Sequence, residues 1–218
     1  MKTRSLVLLS GGLDSAANLA LCVARDEAVL ALTFDYGQKA AKREIQAARD
    51  FCRYYSVKHQ EVEISWLGKL GGNSLTDVSQ AVPTLRADCL DDLAVTRGTA
   101  QQVWVPNRNG VLLNCAAAFA ERLGVSRIVV GFNREEAATF PDNSLAFMKA
   151  ETQALSFSTA NQVTVFSYTV EWNKAETVKE MRKLKPAFPF NQIWSCYQGE
   201  KDPCGVCESC LRLRRALQ

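Results

Sequence analysis

The chain has 218 residues, of which 47% are hydrophobic and 22% are charged, and its formal net charge is +3 at pH 7. This composition excludes global disorder and suits one α/β domain with a small appendage. The net charge is too weak to indicate nucleic-acid binding, and no apolar run reaches the roughly 18 residues of a membrane span, so we expect a cytoplasmic protein without nucleic-acid or membrane partners.

Buried strands and amphipathic helices alternate along most of the chain. Apolar runs predict five strands, at residues 4–10, 28–34, 59–65, 126–132 and 162–170. Helical periodicity predicts five helices, at residues 13–25, 38–55, 109–123, 142–158 and 173–184. Near-continuous apolar strands separated by helices predict an α/β fold with a doubly wound, mostly parallel five-stranded sheet.

Two segments depart from this alternation. Residues 66–107 contain several glycines and prolines but no long periodic run, and a connection of that length is usually functional or mobile. Residues 185–218 are rich in proline and cysteine and then become basic. We therefore predict a main domain at 1–184 and a C-terminal segment at 185–218 that packs on it.

The sequence SGGLDS, residues 10–15, joins the first strand to the first helix. Ligands of open parallel sheets bind at the carboxyl ends of the strands, where free amides of a helix N-terminus attract anions. Gly11 and Gly12 allow the backbone to curl around oxygen atoms, and Ser10 and Ser15 add hydroxyl donors. The loop lacks both the lysine of a Walker A motif and the spacing of a dinucleotide fingerprint.

Asp14 places a carboxylate in this anion-binding loop. A carboxylate beside a phosphate is favourable when a divalent cation lies between them, and Mg²⁺ is commonly held in this way. The loop therefore predicts ATP that is cleaved between its α- and β-phosphates, with Mg²⁺ held by Asp14. The alternative is an ordinary glycine turn in which Asp14 caps the helix.

The eight cysteines fall into two groups. Four of them form a C-x7-C-x2-C-x2-C pattern near the C-terminus, at Cys196, Cys204, Cys207 and Cys210. Four thiolates at this spacing predict a tetrahedral structural Zn²⁺ without an open position, since disulfides are disfavoured in a reducing cytosol. The others are predicted to be small buried hydrophobic residues, namely Cys22, Cys52, Cys89 and Cys115.

The loop SGGLDS resembles the pyrophosphate loop of the N-type ATP pyrophosphatases, whose fold is adenine nucleotide alpha hydrolase-like. Three further motifs follow in order: VPNRN at 105–109, FPDN at 140–143 and CYQGEKDPCGVCESC at 196–210. With the loop, they resemble the 7-cyano-7-deazaguanine synthase family. The resemblance implies conversion of 7-carboxy-7-deazaguanine, ammonia and ATP into a nitrile through an adenylated carboxylate, an amide and a second activation.

The motifs also imply where the substrates bind. ATP contacts are expected from the loop and the end of the second strand, at Leu9, Ser10, Gly11, Gly12, Leu13, Asp14, Ser15, Asp35, Tyr36 and Lys39. Contacts to the deazaguanine are expected from Arg108, Asn109, Glu135, Phe140 and Asp142. Catalytic roles are expected for Asp14, Arg108 and Lys174.

Several of these residues also have plain structural interpretations. Asn109 and Asp142 are both suited to cap a helix, and Lys174 is suited to face solvent at a helix start. Asn143 and Ser144 stand where many family members have Cys-Arg, so this segment departs from the family pattern.

Two other activities remain open at this point. One is a tRNA-modifying adenylase, which would need a stronger basic surface and a catalytic cysteine pair. The other is a related ligase that adenylates a deazaguanine carboxylate and transfers it to a protein or peptide amine. The oligomeric state is also open, with a homodimer as one alternative.

Overall fold

A computed structural model describes residues 4–218, in which five parallel strands form one sheet with the order β3-β2-β1-β4-β5. The strands are β1 (Ser5–Leu8), β2 (Ala28–Asp35), β3 (His59–Glu63), β4 (Arg127–Val129) and β5 (Thr164–Phe166). The predicted doubly wound, parallel α/β fold is thereby confirmed.

Eight α-helices accompany the strands within residues 4–218. They are α1 (Leu13–Ala24), α2 (Ala41–Tyr55), α3 (Leu93–Gln102), α4 (Arg108–Arg122), α5 (Arg134–Ala137), α6 (Leu145–Ser158), α7 (Lys174–Met181) and α8 (Glu208–Leu217). The residues of α1, α2, α7 and α8 pack with one face of the sheet, and those of α4 and α6 pack with the other. In β1, Leu6 belongs to one core and the next residue, Val7, to the other, as expected for a strand buried on both faces.

Three helices lie where no helix was predicted. Helix α3 occupies part of the irregular segment and begins at Asp92, whose carboxylate accepts the backbone N–H groups of Ala94 and Val95. Helix α5 is a single turn after β4, and α8 forms most of the basic end of the chain. Leu211, Arg212 and Ala216 of α8 are buried, whereas Arg214 and Arg215 are exposed.

Four of the predicted strands are longer than the observed ones, most clearly β4 and β5, which have three residues each, whereas β2 extends one residue beyond its prediction. Apolar residues beyond their ends continue into the core; Val130 and Val163, for example, are both buried, and the backbone N–H of Val130 still donates to the carbonyl of Phe166 at 2.9 Å. The helix predicted at 142–158 is shorter in the structure, where α6 begins only at Leu145 because a 3-10 turn at Pro141–Asn143 precedes it.

The C-terminal segment contacts the main domain through α8. This helix packs on α7, and Arg182 donates a hydrogen bond of 2.9 Å to the carbonyl of Leu217. The division at residues 184 and 185 itself stays a prediction. Between residues 4 and 218, no helix has the length and apolar character needed to cross a membrane.

Cysteine burial agrees with the prediction in part. Cys22 and Cys52 are buried in the core, as predicted. Cys89 and Cys115 are only partly buried, and for these two residues the prediction was wrong. Cys89 belongs to a 3-10 turn at Ala87–Cys89 in which none of the residues is buried.

Candidate active site

The loop after β1 lies where the strand order reverses, between β1 and β4. Gly11 has a φ of +80°, and a Cβ atom there would lie 2.6 Å from the Cβ of Ala47 in α2. On the opposite side, a Cβ on Gly131 would lie 2.5 Å from the backbone nitrogen of Ser15. Both close approaches require glycine, and together they clamp the loop between α2 and the segment after β4.

Two serine hydroxyls hold the loop in a tight turn. Ser15 Oγ donates to the carbonyl of Gly12 at 3.1 Å and accepts the backbone N–H of Ser10 at 3.2 Å. Helix α1 begins after Gly12, and no side chain caps it. The interpretation of Asp14 as a helix cap was therefore wrong, and the first amides of α1 remain free for an anion.

Asp14 forms a buried ion cluster with Lys174 and Glu136. Lys174 Nζ donates to Asp14 Oδ2 and, at 2.7 Å, to Glu136 Oε1. Burial raises the pKa of the Asp14 carboxyl above its ordinary value, although the positive charge of Lys174 lowers it. Burial opposes protonation of Lys174, but the two carboxylates raise its pKa above the ordinary value. The cluster therefore contains a permanently charged lysine.

The second oxygen of Asp14 has no partner. Oδ1 is buried and accepts no hydrogen bond in the part of the chain that the structure describes. An unpaired buried carboxylate oxygen is energetically unfavourable, so its environment fits a ligand such as a divalent cation. The residues present thus fit the Mg²⁺ that the loop predicts.

Lys174 is the first residue of α7 and is buried, so the alternative of a solvent-facing lysine was wrong. A capping box fixes this helix start: Asn173 accepts the backbone N–H of Glu176, and Glu176 accepts that of Asn173, both at 2.8 Å. The cap therefore places Lys174 at the entry of the helix and beside Asp14.

A cavity of about 250 Å³ opens above the loop. Most of the predicted site residues line it: Leu9, Ser10, Gly12, Leu13, Asp14, Ser15, Tyr36, Arg108, Asn109, Phe140 and Lys174. Further lining residues were not among the predicted contacts; they include Glu44, Glu136, Asn143, Trp194, Ser195 and Tyr197. The structure thus brings together residues from motifs that are far apart in the sequence.

Five predicted residues do not line this cavity. Gly11 supports the loop from behind, and Lys39 Nζ donates to the carbonyl of Gln80. Asp35 accepts the backbone N–H of Gly37 at 2.9 Å. Glu135 and Asp142 lie beside lining residues, and each has other partners.

Glu135 is held by arginines of α8. Its Oε1 accepts Arg212 Nη1 at 2.5 Å and Arg215 Nη2 at 2.9 Å, and its Oε2 accepts the backbone N–H of Lys174 at 3.2 Å. Burial opposes ionisation, but Arg212 lowers the pKa of Glu135 below its ordinary value. The structure therefore ties the predicted substrate residue Glu135 to α8, and its neighbour Glu136 lines the cavity.

Asp142 does not cap α6, because that cap is Ser144, whose Oγ accepts the backbone N–H of Phe147 at 3.1 Å. Asn109 does not cap α4 either, since α4 begins after Asn107. Instead, Asn109 Nδ2 donates to the backbone carbonyl of Asp142 at 3.3 Å. The two capping interpretations were therefore wrong, and this contact joins the VPNRN and FPDN motifs.

Arg108 projects into the cavity beside Tyr36. Its Nη1 donates to Tyr36 Oη at 3.3 Å, and the guanidinium carbon lies 5.7 Å from the tyrosine ring centroid. Tyr36 follows β2 directly, so this contact connects the start of α4 to the end of a neighbouring strand. A guanidinium held in this way can bind a phosphate or a carboxylate with two hydrogen bonds.

The four C-terminal cysteines converge on one point. Their Sγ atoms all lie within 4.8 Å of one another, and three of the four residues are buried. Backbone N–H groups of Gln198 and Cys204 donate to Cys196 Sγ, both at 3.4 Å. Four sulfurs at these separations fit a tetrahedral Zn²⁺ with Zn–S distances of about 2.3 Å.

A protein-family model described as "Queuosine biosynthesis protein QueC" matches residues 4–218. The chain belongs to the QueC family. The 7-cyano-7-deazaguanine synthase of Pelotomaculum thermopropionicum is 49% identical over 215 residues, which cover 99% of this chain and 96% of that protein. The protein of the same name from Methanosarcina barkeri is 44% identical over 218 residues, covering 99% of this chain and 94% of that protein.

The family resemblance drawn from the sequence motifs is thereby confirmed. Among solved structures, the NMN synthetase of Francisella tularensis aligns with 97% of this chain and 76% of that chain, at 15% identity and a TM-score of 0.45.

In this QueC-family chain, the cysteine segment also reaches the loop after β1. The backbone N–H of Trp194 donates to the carbonyl of Gly11 at 3.0 Å, and Trp194, Ser195 and Tyr197 line the cavity. Sequence reasoning missed these residues because nothing in their spacing indicates where the tail folds back. The segment that carries the cysteines therefore also forms part of the candidate active site.

Proposed function

We propose that this protein joins 7-carboxy-7-deazaguanine with ammonia at the expense of ATP and forms 7-cyano-7-deazaguanine. The match to the QueC family over residues 4–218 carries the proposal. Curated relatives that are 39–49% identical over nearly the whole chain are named 7-cyano-7-deazaguanine synthases. The cavity supports it, because it combines an anion-binding loop with a carboxylate oxygen of Asp14 that has no hydrogen-bond partner among residues 4–218.

In this proposal, the loop binds the phosphates of ATP. The free amides at the start of α1 and the hydroxyls of Ser10 and Ser15 stabilise negative charge as the bond between the α- and β-phosphates breaks. Asp14 would hold Mg²⁺, which neutralises charge on the phosphates when it is bound. Tyr36 would contact the nucleotide directly. Asp35 and Lys39 do not line the cavity, so they would support the nucleotide site from its surroundings.

The deazaguanine would lie against Phe140 and Arg108. Phe140 presents its aromatic ring on the cavity wall, and the guanidinium of Arg108 can donate two hydrogen bonds to the carboxylate of the substrate. Asn109 and Asn143 add amide groups for the polar edge of the base, with Asp142 directly beside them. We omit Glu135 from this set because two arginines already hold its carboxylate.

The proposed reaction activates one carbonyl carbon twice. A carboxylate oxygen is a poor leaving group, and adenylation allows it to depart as AMP. Ammonia then gives an amide, whose oxygen needs a second activation before the nitrile can form. Lys174 and Arg108 would stabilise the charge that develops on phosphate in both steps.

The cysteine cluster would hold Zn²⁺ in a structural role. With four protein ligands the metal has no open position, so it would fix the fold of the tail rather than take part in the chemistry.

We propose a cytoplasmic location, because disulfides are disfavoured in a reducing compartment and all eight cysteines are free of disulfide bonds. The homodimer stays a prediction.

The test is incubation of the purified protein with 7-carboxy-7-deazaguanine, ATP and ammonium, followed by mass spectrometry. We expect the nitrile as final product, the amide as transient intermediate and about two ATP consumed per nitrile, by the logic of activated leaving groups. An adenylate that reacts with peptide amines but gives no nitrile would contradict the proposal and favour the alternative ligase.

A further inference from the structure

The proposed reaction leaves the binding site of its nitrogen donor unassigned. Ammonia in neutral water is mainly the ammonium ion, which is not a nucleophile until it loses a proton. An enzyme that uses it therefore benefits from a carboxylate close to the activated carbon, which binds the cation and accepts the proton. Three carboxylates line the cavity, those of Asp14, Glu44 and Glu136.

Two of these carboxylates are already committed to other partners. Glu44 Oε2 accepts Gln38 Nε2 at 2.9 Å, and burial raises the pKa of the Glu44 carboxyl, which favours its neutral form. The Asp14 side chain is only 8% exposed, and Lys174 occupies one of its oxygens. Its other oxygen faces the site of the proposed Mg²⁺.

Glu136 differs from both. Its side chain is 33% exposed, and Lys174 bonds to its Oε1. Within residues 4–218, this carboxylate accepts hydrogen bonds at Oε1 alone. One oxygen is thus anchored by the lysine, and Oε2 is left for a ligand in the cavity.

Backbone hydrogen bonds link Glu136 to Phe140, the proposed contact of the deazaguanine ring. Asn133 Oδ1 caps the single turn of α5 by accepting the N–H of Glu136 at 2.8 Å. The carbonyl of Glu136 accepts the N–H of Phe140, also at 2.8 Å. Glu136 therefore lies one turn before Phe140 in the chain, its carboxylate contacts Lys174, and all three residues line the same cavity.

The charge of Lys174 favours the ionised form of Glu136. Burial opposes ionisation, but Lys174 lowers the pKa of this carboxyl below its ordinary value. An ionised carboxylate in a mostly buried site attracts a small cation such as ammonium, since interactions are stronger there than in bulk water.

We propose that Glu136 binds the ammonium ion through Oε2 and accepts the proton that the ion loses. The freed lone pair on nitrogen then forms the C–N bond to the carbonyl carbon of the adenylate. The adduct loses a second proton to water, and the C–O bond to AMP breaks so that AMP leaves with the electron pair. This inference rests on the proposed function and assigns the nitrogen-donor subsite of the same cavity.

The test separates activation of the carboxylate from amine transfer. In Glu136→Gln, ATP–pyrophosphate exchange that depends on 7-carboxy-7-deazaguanine should stay within about threefold of the wild type. Amide formation from ammonium should fall by about 10²-fold or more, the typical contribution of a positioned base. Hydroxylamine is uncharged at neutral pH and needs no such base, so hydroxamate formation should stay within about threefold.

The matched control is Glu151→Gln, at a partly buried glutamate of α6 that does not line the cavity, which should leave all three rates unchanged. Glu136→Asp, which keeps the carboxylate, should recover part of the ammonium rate. Equal losses with ammonium and hydroxylamine, or a loss of exchange, would overturn the inference by showing a structural role or a role in activation. A wild-type protein that forms neither amide nor nitrile would contradict the proposed function instead.

Discussion

The loop at 10–15 and the cysteine segment at 196–210 meet at the same cavity, but they are held in different ways. Packing and local hydrogen bonds form the loop. Helix α2 contacts Gly11, the backbone of Ser15 leaves no room for a Cβ at Gly131, and Ser15 Oγ bonds to Ser10 and Gly12. The cysteine segment has a small core of its own, with Val82 and three cysteines as its buried members. We infer that the loop is preformed by the protein, whereas the segment depends on a metal.

The largest effect should follow from loss of a zinc ligand. Cys207→Ser should release the metal and destabilise the protein by about 3 to 5 kcal/mol, part of the roughly 10–16 kcal/mol that structural zinc supplies in zinc-finger peptides. Elemental analysis and urea unfolding measure the two changes. Cys89→Ser is the control, because Cys89 lies outside the cluster; equal zinc content in both variants would contradict a metal-dependent segment.

A change in the loop should leave the fold intact and remove activity. Asp14→Asn keeps the shape of the side chain but removes the charge that would hold Mg²⁺. Pyrophosphate release should fall by about 10²- to 10³-fold, the size expected for one lost electrostatic contact in the transition state. The variant should still bind zinc and unfold cooperatively. Release at a rate near that of the wild type would exclude the cation role.

The claim that packing preforms the loop can be tested by overpacking it. In Gly131→Ala the new methyl group would lie 2.5 Å from the backbone nitrogen of Ser15, so the loop must shift. We expect a loss of about 1 to 3 kcal/mol in the free energy of unfolding and a higher KM for ATP. Gly98→Ala is the control, since its methyl group would meet no atom within 4 Å. Equal stability of the two variants would refute the clamp.

Acid should weaken the connection between α8 and α5. The pKa of Glu135 is lowered in the folded state, so its contribution is complete above the unfolded-state pKa of about 4.3 and is lost as pH falls through the folded-state pKa. Glu135→Gln should therefore cost about 1 to 2 kcal/mol at pH 7 and progressively less below pH 4. Urea unfolding of both proteins across this range measures the difference. A pH-independent difference would contradict the assignment.

The sequence predicted the sheet and the loop well because both depend on local patterns. Apolar strands and the SGGLDS turn are encoded by neighbouring residues, and ten of the eleven predicted cavity residues from Leu9 to Lys174 belong to such motifs or directly follow a strand. The choice between Glu135 and Glu136 was not predictable. It depends on the cap from Asn133 and on Arg212 of α8, which lies 77 positions from Glu135.

The smallest predicted effect concerns a contact between α2, which packs on the loop, and the chain that leads into the cysteine segment. Arg43 of α2 lies with its guanidinium carbon 5.4 Å from the ring centroid of Trp194, and its Nε donates to the carbonyl of Glu200 at 2.9 Å. Because this contact is exposed, Arg43→Met should cost only about 0.5 to 1 kcal/mol. The loss should shrink when Arg43→Met is combined with Cys207→Ser, since a segment without metal no longer holds Trp194 in place. Additive losses in this double-mutant cycle would show that the segment keeps its position without the metal.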